Sequence, residues 1–381
     1  MKKILFILFT IIGIVACKNQ PESNTTKEEI KPIEDYQSVA GKIMDTHKTN
    51  SGNTPEDMVN AANKFLLLLS EKQKEKALLK FSNSERKKWS NAPARGNQGG
   101  IALGELDTPQ LKAAYELLAS LLSSQGYEKV KQIMLGDDLR SIIDGKINTG
   151  VGINAFRIIL FGTPSTSSTW SVQLDGHHIA LNITLGKDDA YSMSPSFIGT
   201  FPKSFRVAGK TYQPLTGKIN QAFELINSLN EQQLKEAIIS DKRGKLRAAA
   251  GKDGVVPAPI GILANKMNKI QSDLLVSLAS QWFNIMPARH AQTAKANFIK
   301  NLNKTKFSWH GSIKIDSDIS FTIQGPSFYI EMANDHRGGS DGGNPVDHVH
   351  TMFRDFSNEY GVYLSHKTKH SYSNNSSNHS H

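Results

Sequence analysis

Trp-Ser-Val-Gln-Leu-Asp-Gly-His-His-Ile-Ala-Leu-Asn-Ile, residues 170–183, decides the fold class. Apolar and polar residues alternate on both sides of Asp175-Gly176, and Asp-Gly between two alternating runs is the strongest short-range hairpin signal. Trp170 to Leu174 and His178 to Ile183 therefore read as paired antiparallel strands. Phe156 to Phe161 adds a strand before them. Far downstream, Phe307 to Ile313, Ile319 to Gln324, Ser327 to Met332 and Val346 to Phe353 read the same way, with a flexible loop at Gly338 to Gly343 feeding the last.

Around these strands the period changes. Thr54-Pro55-Glu56-Asp57 and Ser70 with Gln73 are capping boxes, which predict helices near 55–69 and 71–80. Asp107-Thr108-Pro109 opens a third, with Leu111, Ala114, Tyr115, Leu118, Leu121 and Leu122 at helical spacing and an end at Gly126. Helical periodicity returns over about 216–240 and 270–300. No fixed-period repeat is visible. The expected fold is α+β, an antiparallel sheet with flanking helical blocks in one large domain over residues 54–370.

The first residues carry a different signal. Lys2 and Lys3 precede a short apolar run from Ile4 to Val15, too short to span a bilayer comfortably. Ile14-Val15-Ala16-Cys17 then matches a lipobox, so residues 1–16 read as a signal peptide and Cys17 as the lipidated residue. Polar residues 17–53 read as a tether, within which Ser38 to Lys48 has the makings of a short helix. Lys18 after the cysteine favours the outer membrane, facing the periplasm by default. The tail, residues 371–381, is Ser-, Asn- and His-rich and reads as disordered. Cys17 is the single cysteine among 381 residues, so no disulfide and no thiolate metal site is expected. The net charge of +10 is spread along the chain, which together with an envelope address argues against nucleic acid as a partner.

Histidines supply the candidate chemistry. His348 and His350 lie two apart on a strand and so share a face, as two imidazoles binding one metal ion must. His177 and His178 are expected on opposite faces, leaving His178 to join them, with Asn182 on its own face and Glu331 on a nearby strand as oxygen donors. Such a set suits zinc, iron or copper. Histidines at alternate strand positions are also common on solvated faces, and that alternative stands. Arg354-Asp355 follows the late histidines and reads either as an anion-binding pair that orients a histidine or as a surface ion pair. Trp89, Trp170 and Trp309 are candidates for a pocket wall or for core. His366 and His370 read as exposed. No Gly-x-Ser-x-Gly elbow, His-Glu-x-x-His helix, phosphate loop or dinucleotide fingerprint occurs.

Several of these residues fall in a recognisable order: Phe81, Trp89 and Pro93; Gln110 and Leu122-Ser123-x-x-Gly126-Tyr127; Phe161-Gly162-x-Pro164 and Trp170; Gly176-His177-His178-x-x-x-Asn182; and His348-x-His350-x-x-x-Arg354-Asp355. In that combination, over about residues 56 to 370, the chain resembles the bacterial family catalogued as domain of unknown function 3500. Asn358-Glu359-Tyr360-Gly361 stands where the family tends to show Asn-Asp-Phe-Gly, and Lys367 follows His366 where an aromatic is usual. The resemblance implies one shared fold and draws attention to the histidine motifs without implying a reaction. Two functions remain open: a metal-dependent envelope enzyme, hydrolytic or oxidative, and a non-catalytic lipoprotein binding a glycan, peptide or small solute.

Overall fold

The computed structural model describes residues 38–50, 52–94, 99–145, 150–207, 209–335 and 345–362. The signal peptide, Cys17, most of the tether, His366, His370 and the tail lie outside those residues. Chain expected to be tether is packed from Ser38 onward. Helix α1 (Val39–Thr46) buries Ala40 and Met44, Tyr115 Oη donates to the Ala40 carbonyl, and the Asn53 amide donates to the carbonyls of Ala119, Ser120 and Leu122.

Both capping boxes form, at the starts of α2 (Pro55–Leu68) and α3 (Glu71–Ala77), each satisfying amides that a helix end leaves without partners. Asp107 caps α4 (Thr108–Leu121) as expected. The end expected at Gly126 is different: α4 stops at Leu121, Ser123 caps a new helix, α5 (Ser124–Ile143), and Gly126 lies in its first turn. A Cβ at Gly126 would stand 2.3 Å from the Ile285 carbonyl oxygen, so this glycine permits a close approach between chain segments.

Strands follow: β1 (Leu78–Leu79) and β2 (Ile101–Ala102) flank the helices, then come β3 (Arg157–Phe161), β4 (Trp170–Gly176), β5 (Ile179–Gly186) and β6 (Ala190–Thr200). A small separate hairpin, β7 (Phe205–Val207) and β8 (Lys210–Tyr212), leads to α6 (Thr216–Asn227), α7 (Glu231–Ala237), β9 (Ile238–Ser240), β10 (Ile262–Leu263), α8 (Lys269–Phe283) and α9 (Ala288–Lys300). The described chain closes with β11 (Lys306–His310), β12 (Ser320–Gln324), β13 (Phe328–Asn334) and β14 (Val349–Asp355). One large sheet has the order β1-β3-β4-β5-β6-β14-β13-β12-β11-β10, with β2 also on β3 and β9 also on β11. It is antiparallel except for two short parallel pairs, β1 with β3 and β9 with β11.

That order reads alike from either end, because the chain builds the same unit twice. Two helices, a short strand, a long loop, a short strand, two helices and four strands run from α2 to β6 and again from α6 to β14. Detail repeats with topology. Gln73 Nε2 donates to the Glu105 carbonyl and Gln110 Nε2 to that of Leu68, while Gln233 Nε2 donates to the Lys266 carbonyl and Gln271 Nε2 to that of Ser228. The repeat was invisible as a period because the equivalent positions keep their physical task and change their residue: Ser70-x-x-Gln73 in one unit is Asn230-x-x-Gln233 in the other.

The hairpin quoted first is present, with a different turn. Gly176 pairs with Ile179, so Asp175-Gly176 ends β4 and the two turn residues are His177 and His178. Gly176 packs against Phe156, where a Cβ would come within 2.3 Å of the ring. His178 takes a positive φ of 68°, which breaks the strict alternation of faces expected for the histidine pair.

Strand alternation gives the sheet two unlike faces. Val172, Leu174, Leu181, Ile183, Phe307, Trp309, Phe321, Ile323, Ile330 and Met332 point into the main core with the helices. Their neighbours on the other face are polar and also buried: Gln173, Asp175, Asn182, His350, Arg354, Glu331, Thr322 and Ser308. Antiparallel sheets commonly leave a polar face to water. Here residues of the two long loops, among them Trp89 and Leu246, pack on it beside Tyr360, Ala180, Phe197 and Met352.

Candidate metal centre

β6 brings the histidines together. It lies between β5 and β14, and Gly199 on it pairs with His350 while its amide donates to the His178 carbonyl at 2.7 Å. His178 ends the hairpin turn that feeds β5; His348 immediately precedes β14 and His350 is its second residue. Both rings lie over Gly199, where a Cβ would come 2.9 Å from His350 Cδ2 and 3.0 Å from His178 Cδ2. Only glycine leaves them room.

His178 Nε2 and His348 Nε2 are 2.8 Å apart across 170 residues of sequence, and the ring centroids of His348 and His350 are 4.5 Å apart. One nitrogen from each of His178, His348 and His350 falls within 4.8 Å of the others, and all three residues are buried. Ligand atoms in a tetrahedral zinc shell lie roughly 3.3 Å apart, so small side-chain rotations suffice for the three to share one ion. Phe197 meets His350 edge to face and Phe201 lies tilted against His348, each with ring centroids 5.0 Å apart, giving the cluster an apolar wall.

Carboxylates stand behind two of the rings. Asp335 Oδ2 is 3.1 Å from His350 Nδ1, and Asp137 Oδ1 is 3.8 Å from His178 Nδ1. At His350 the acceptor at Nδ1 favours the tautomer that leaves Nε2 as a lone-pair donor, the usual outer support of a metal-bound imidazole, whereas Asp137 at 3.8 Å acts on His178 through its charge. Asp137 also meets His177 Nδ1 at 2.5 Å and accepts from the Gly152 amide at 2.8 Å. Burial, with the neighbouring His177 and His350, pushes His178 well below the usual imidazole range against the opposing pull of Asp137, which keeps the ring neutral and able to ligate. Burial alone would raise Asp137; His177 and His178 outweigh it and hold that carboxyl at about 2.

The other expected site residues lie elsewhere on the same face. Glu331 is opposite Met352, two pairs further along than the Ala333 to His350 pair, and its carboxylate accepts from the amides of Arg247 and Ala248 and from Tyr329 Oη. Burial raises it despite those bonds. Asn182 accepts from Gln173 Nε2 and donates to the Pro195 carbonyl. Arg354 is buried, pairs with Glu359 and donates to the carbonyls of Lys252 and Val255, so it holds the second long loop to the sheet. Asp355 accepts from Ser357 Oγ. Trp170 and Trp309 are core, and Trp89 donates to Tyr360 Oη on the polar face.

Three participants escaped the sequence reading: Asp137, Asp335 and His177 in its contact with Asp137. Asp137 left one trace. It continues the buried series Val130, Ile133, Met134 on α5, where an acid among apolar positions signals a buried partner.

Comparison with known proteins supplies a family and no activity. The chain matches the family described as protein of unknown function (DUF3500) over residues 51–362, most of its length, and belongs to it. No curated protein and no solved structure matches it.

Proposed function

We propose that this member of the DUF3500 family is a metal-dependent enzyme of the bacterial envelope, held by lipid at Cys17 to the outer membrane and facing the periplasm. Its ion is carried by His178, His348 and His350. The supporting observation is the convergence of those buried imidazoles from two distant parts of the chain, with Asp137 and Asp335 behind them and Phe197 and Phe201 beside them. Residues that serve only as hydrogen-bonding structure have no need of two carboxylate-backed rings aimed at a third.

Three imidazole nitrogens with no thiolate suit zinc, copper or iron, and three protein ligands leave a position for water or substrate, as in catalytic sites. Such an ion lowers the pKa of bound water or handles dioxygen, so its identity separates hydrolysis from oxidation. The chain's own residues have defined tasks in this reading: Asp137 and Asp335 orient rings, Phe197 and Phe201 limit water, and Gly199 leaves space.

Elemental analysis by mass spectrometry on soluble protein starting after Cys17, made without a histidine tag, tests the proposal. Near-stoichiometric metal that is absent from a His348→Ala, His350→Ala variant is expected. A folded wild type that neither contains nor takes up zinc, copper or iron would sink the enzyme reading in favour of a ligand-binding lipoprotein.

A further inference from the structure

The repeat allows each unit to act as a control for the other, and on the polar face the two differ. Counting from the glycine that ends or follows the second long strand, Gly176-x-x-x-x-x-Asn182 in the first unit corresponds to Gly325-x-x-x-x-x-Glu331 in the second, and Ser171 to Ser320. In the first unit the space over these residues is filled. Arg86 lies flat there, its Nε donating to Ser171 Oγ at 3.2 Å and its Nη2 to the Tyr360 carbonyl at 2.6 Å, and a cavity of only ≈ 10 Å³ remains. In the second unit the Gly244 amide donates to Ser320 Oγ at 2.9 Å, no side chain fills the space, and the cavity is ≈ 420 Å³.

The cavity has a composition and a position. Glu331, Thr322 and Ser320 form its floor, and Lys245, Arg247 and His310 line it from the loop and from β11. Among the described residues no carboxylate lies within ion-pair distance of Lys245 or Arg247. Arg247 Nη1 donates to the Ala258 carbonyl at 3.4 Å, and the Glu331 carboxylate on the cavity floor is committed to two backbone amides and a tyrosine hydroxyl. Ala333 also lines the cavity and is the cross-strand partner of His350, on the same face of the sheet. Directly opposed residues of an antiparallel pair have Cβ atoms about 5 Å apart, so the cavity adjoins the histidine cluster.

We propose that this cavity is the substrate pocket of the histidine centre and that it takes a small hydroxylated organic anion, whose carboxylate or phosphate group is bound by Arg247 with Lys245. This rests on the metal-centre reading for the word substrate, and on the cavity alone for the anion. A guanidinium presents paired donors that match an oxyanion, and the hydroxyls of Ser320 and Thr322 with the Glu331 carboxylate match a polyol body. The filled counterpart shows that the frame does not require the space.

Calorimetric titration of the full mature chain at low ionic strength tests it, with inorganic phosphate and glucuronate as probes and glucose as the uncharged control. Saturable binding of either anion is expected, weakened at least tenfold in Arg247→Met, partly restored in Arg247→Lys, and unchanged in Lys242→Met, an exposed neighbour outside the cavity. Circular dichroism verifies that each variant is folded. Equal weakening in Arg247→Met and Lys242→Met, or no saturable binding, would overturn the proposal. Loss of binding in His348→Ala, His350→Ala but not in Arg247→Met would place the anion on the histidines and overturn it too. Binding that survives the histidine variant and fails in Arg247→Met supports the cavity even if no metal is held.

Discussion

The two units of this chain share a frame and differ in how they use it. In the first, the space over the polar sheet face is occupied by Arg86, which burial pushes down to about 10, and by the 3-10 turn Glu359–Gly361. In the second, the matching loop is tied to the sheet through Gly244, Arg247 and Ala248 but leaves beside them a cavity lined by Lys245, Arg247 and His310. The difference teaches that duplication separated two requirements. One copy closes its polar face; the other keeps an opening, and the histidine cluster sits at the seam where β6 of the first meets β14 of the second.

The largest effect tests the seam. Replacing His348 and His350 with alanine removes two of three ligands from the second unit, and metal content is expected to fall from near one per chain to near zero. Should His178→Ala, in the first unit, leave content unaltered, the site belongs to one unit and the seam loses its meaning.

Next in size is the closed copy. Arg86→Met takes away a half-buried cation and leaves the Tyr360 carbonyl short of a partner, so chemical denaturation should show a loss of about 2–3 kcal/mol. Arg247→Met, in the open copy, should cost less than about 0.5 kcal/mol because the group is not built into the core. Similar losses at both positions would erase the distinction between a plug and a ligand-binding cation.

Asp137→Asn and Asp335→Asn probe the outer supports, one from each unit. Each is expected to weaken metal binding roughly 10- to 100-fold in competition with a chelator, with little change in fold. Unequal losses would say which unit governs ring orientation.

The smallest effect concerns a buried carboxyl present in one copy only. Asp175 stands where the second unit has Gln324, whose amide donates to the Pro257 carbonyl at 2.7 Å. Burial raises Asp175 well above the usual carboxyl range, and one of its oxygens has no hydrogen-bond partner. The folded state therefore keeps a proton that the unfolded chain releases near pH 3.9, and stability falls as pH rises from there through the folded value. Asp175→Asn should raise the thermal midpoint at pH 8 by a few degrees, with the gain vanishing near pH 4. An unchanged midpoint at pH 8 would mean that the carboxyl is not kept protonated.

Much of this organisation was legible from local rules. Caps at Thr54, Ser70 and Asp107 mark helix starts because the hydrogen bonds they make are three residues away. The strand period puts His348 and His350 on one face, and the same period puts Arg354 there. The hairpin's existence followed from alternation, but its turn did not, since Gly176 serves contact with Phe156 and His178 takes the positive φ. Asp137 and Asp335 were out of reach for a different reason. Asp137 reaches the rings from α5 and Asp335 from the end of β13 across to β14, so neither shares a strand face or a period with the histidines it supports. The repeat was hidden because different residues do equivalent work, as at Asn182 and Glu331.

The seam also has a consequence for how the protein is made. β14 is the last strand of the described chain, and His348 and His350 come with it, after every other element of the sheet has been synthesised. A partly made chain carries His178 and Asp137 but no place to hold an ion between three imidazoles. On the proposed reading, in which the chain is exported and holds an ion, the three imidazoles come together only once β14 has joined β6, so loading follows the completion of the sheet.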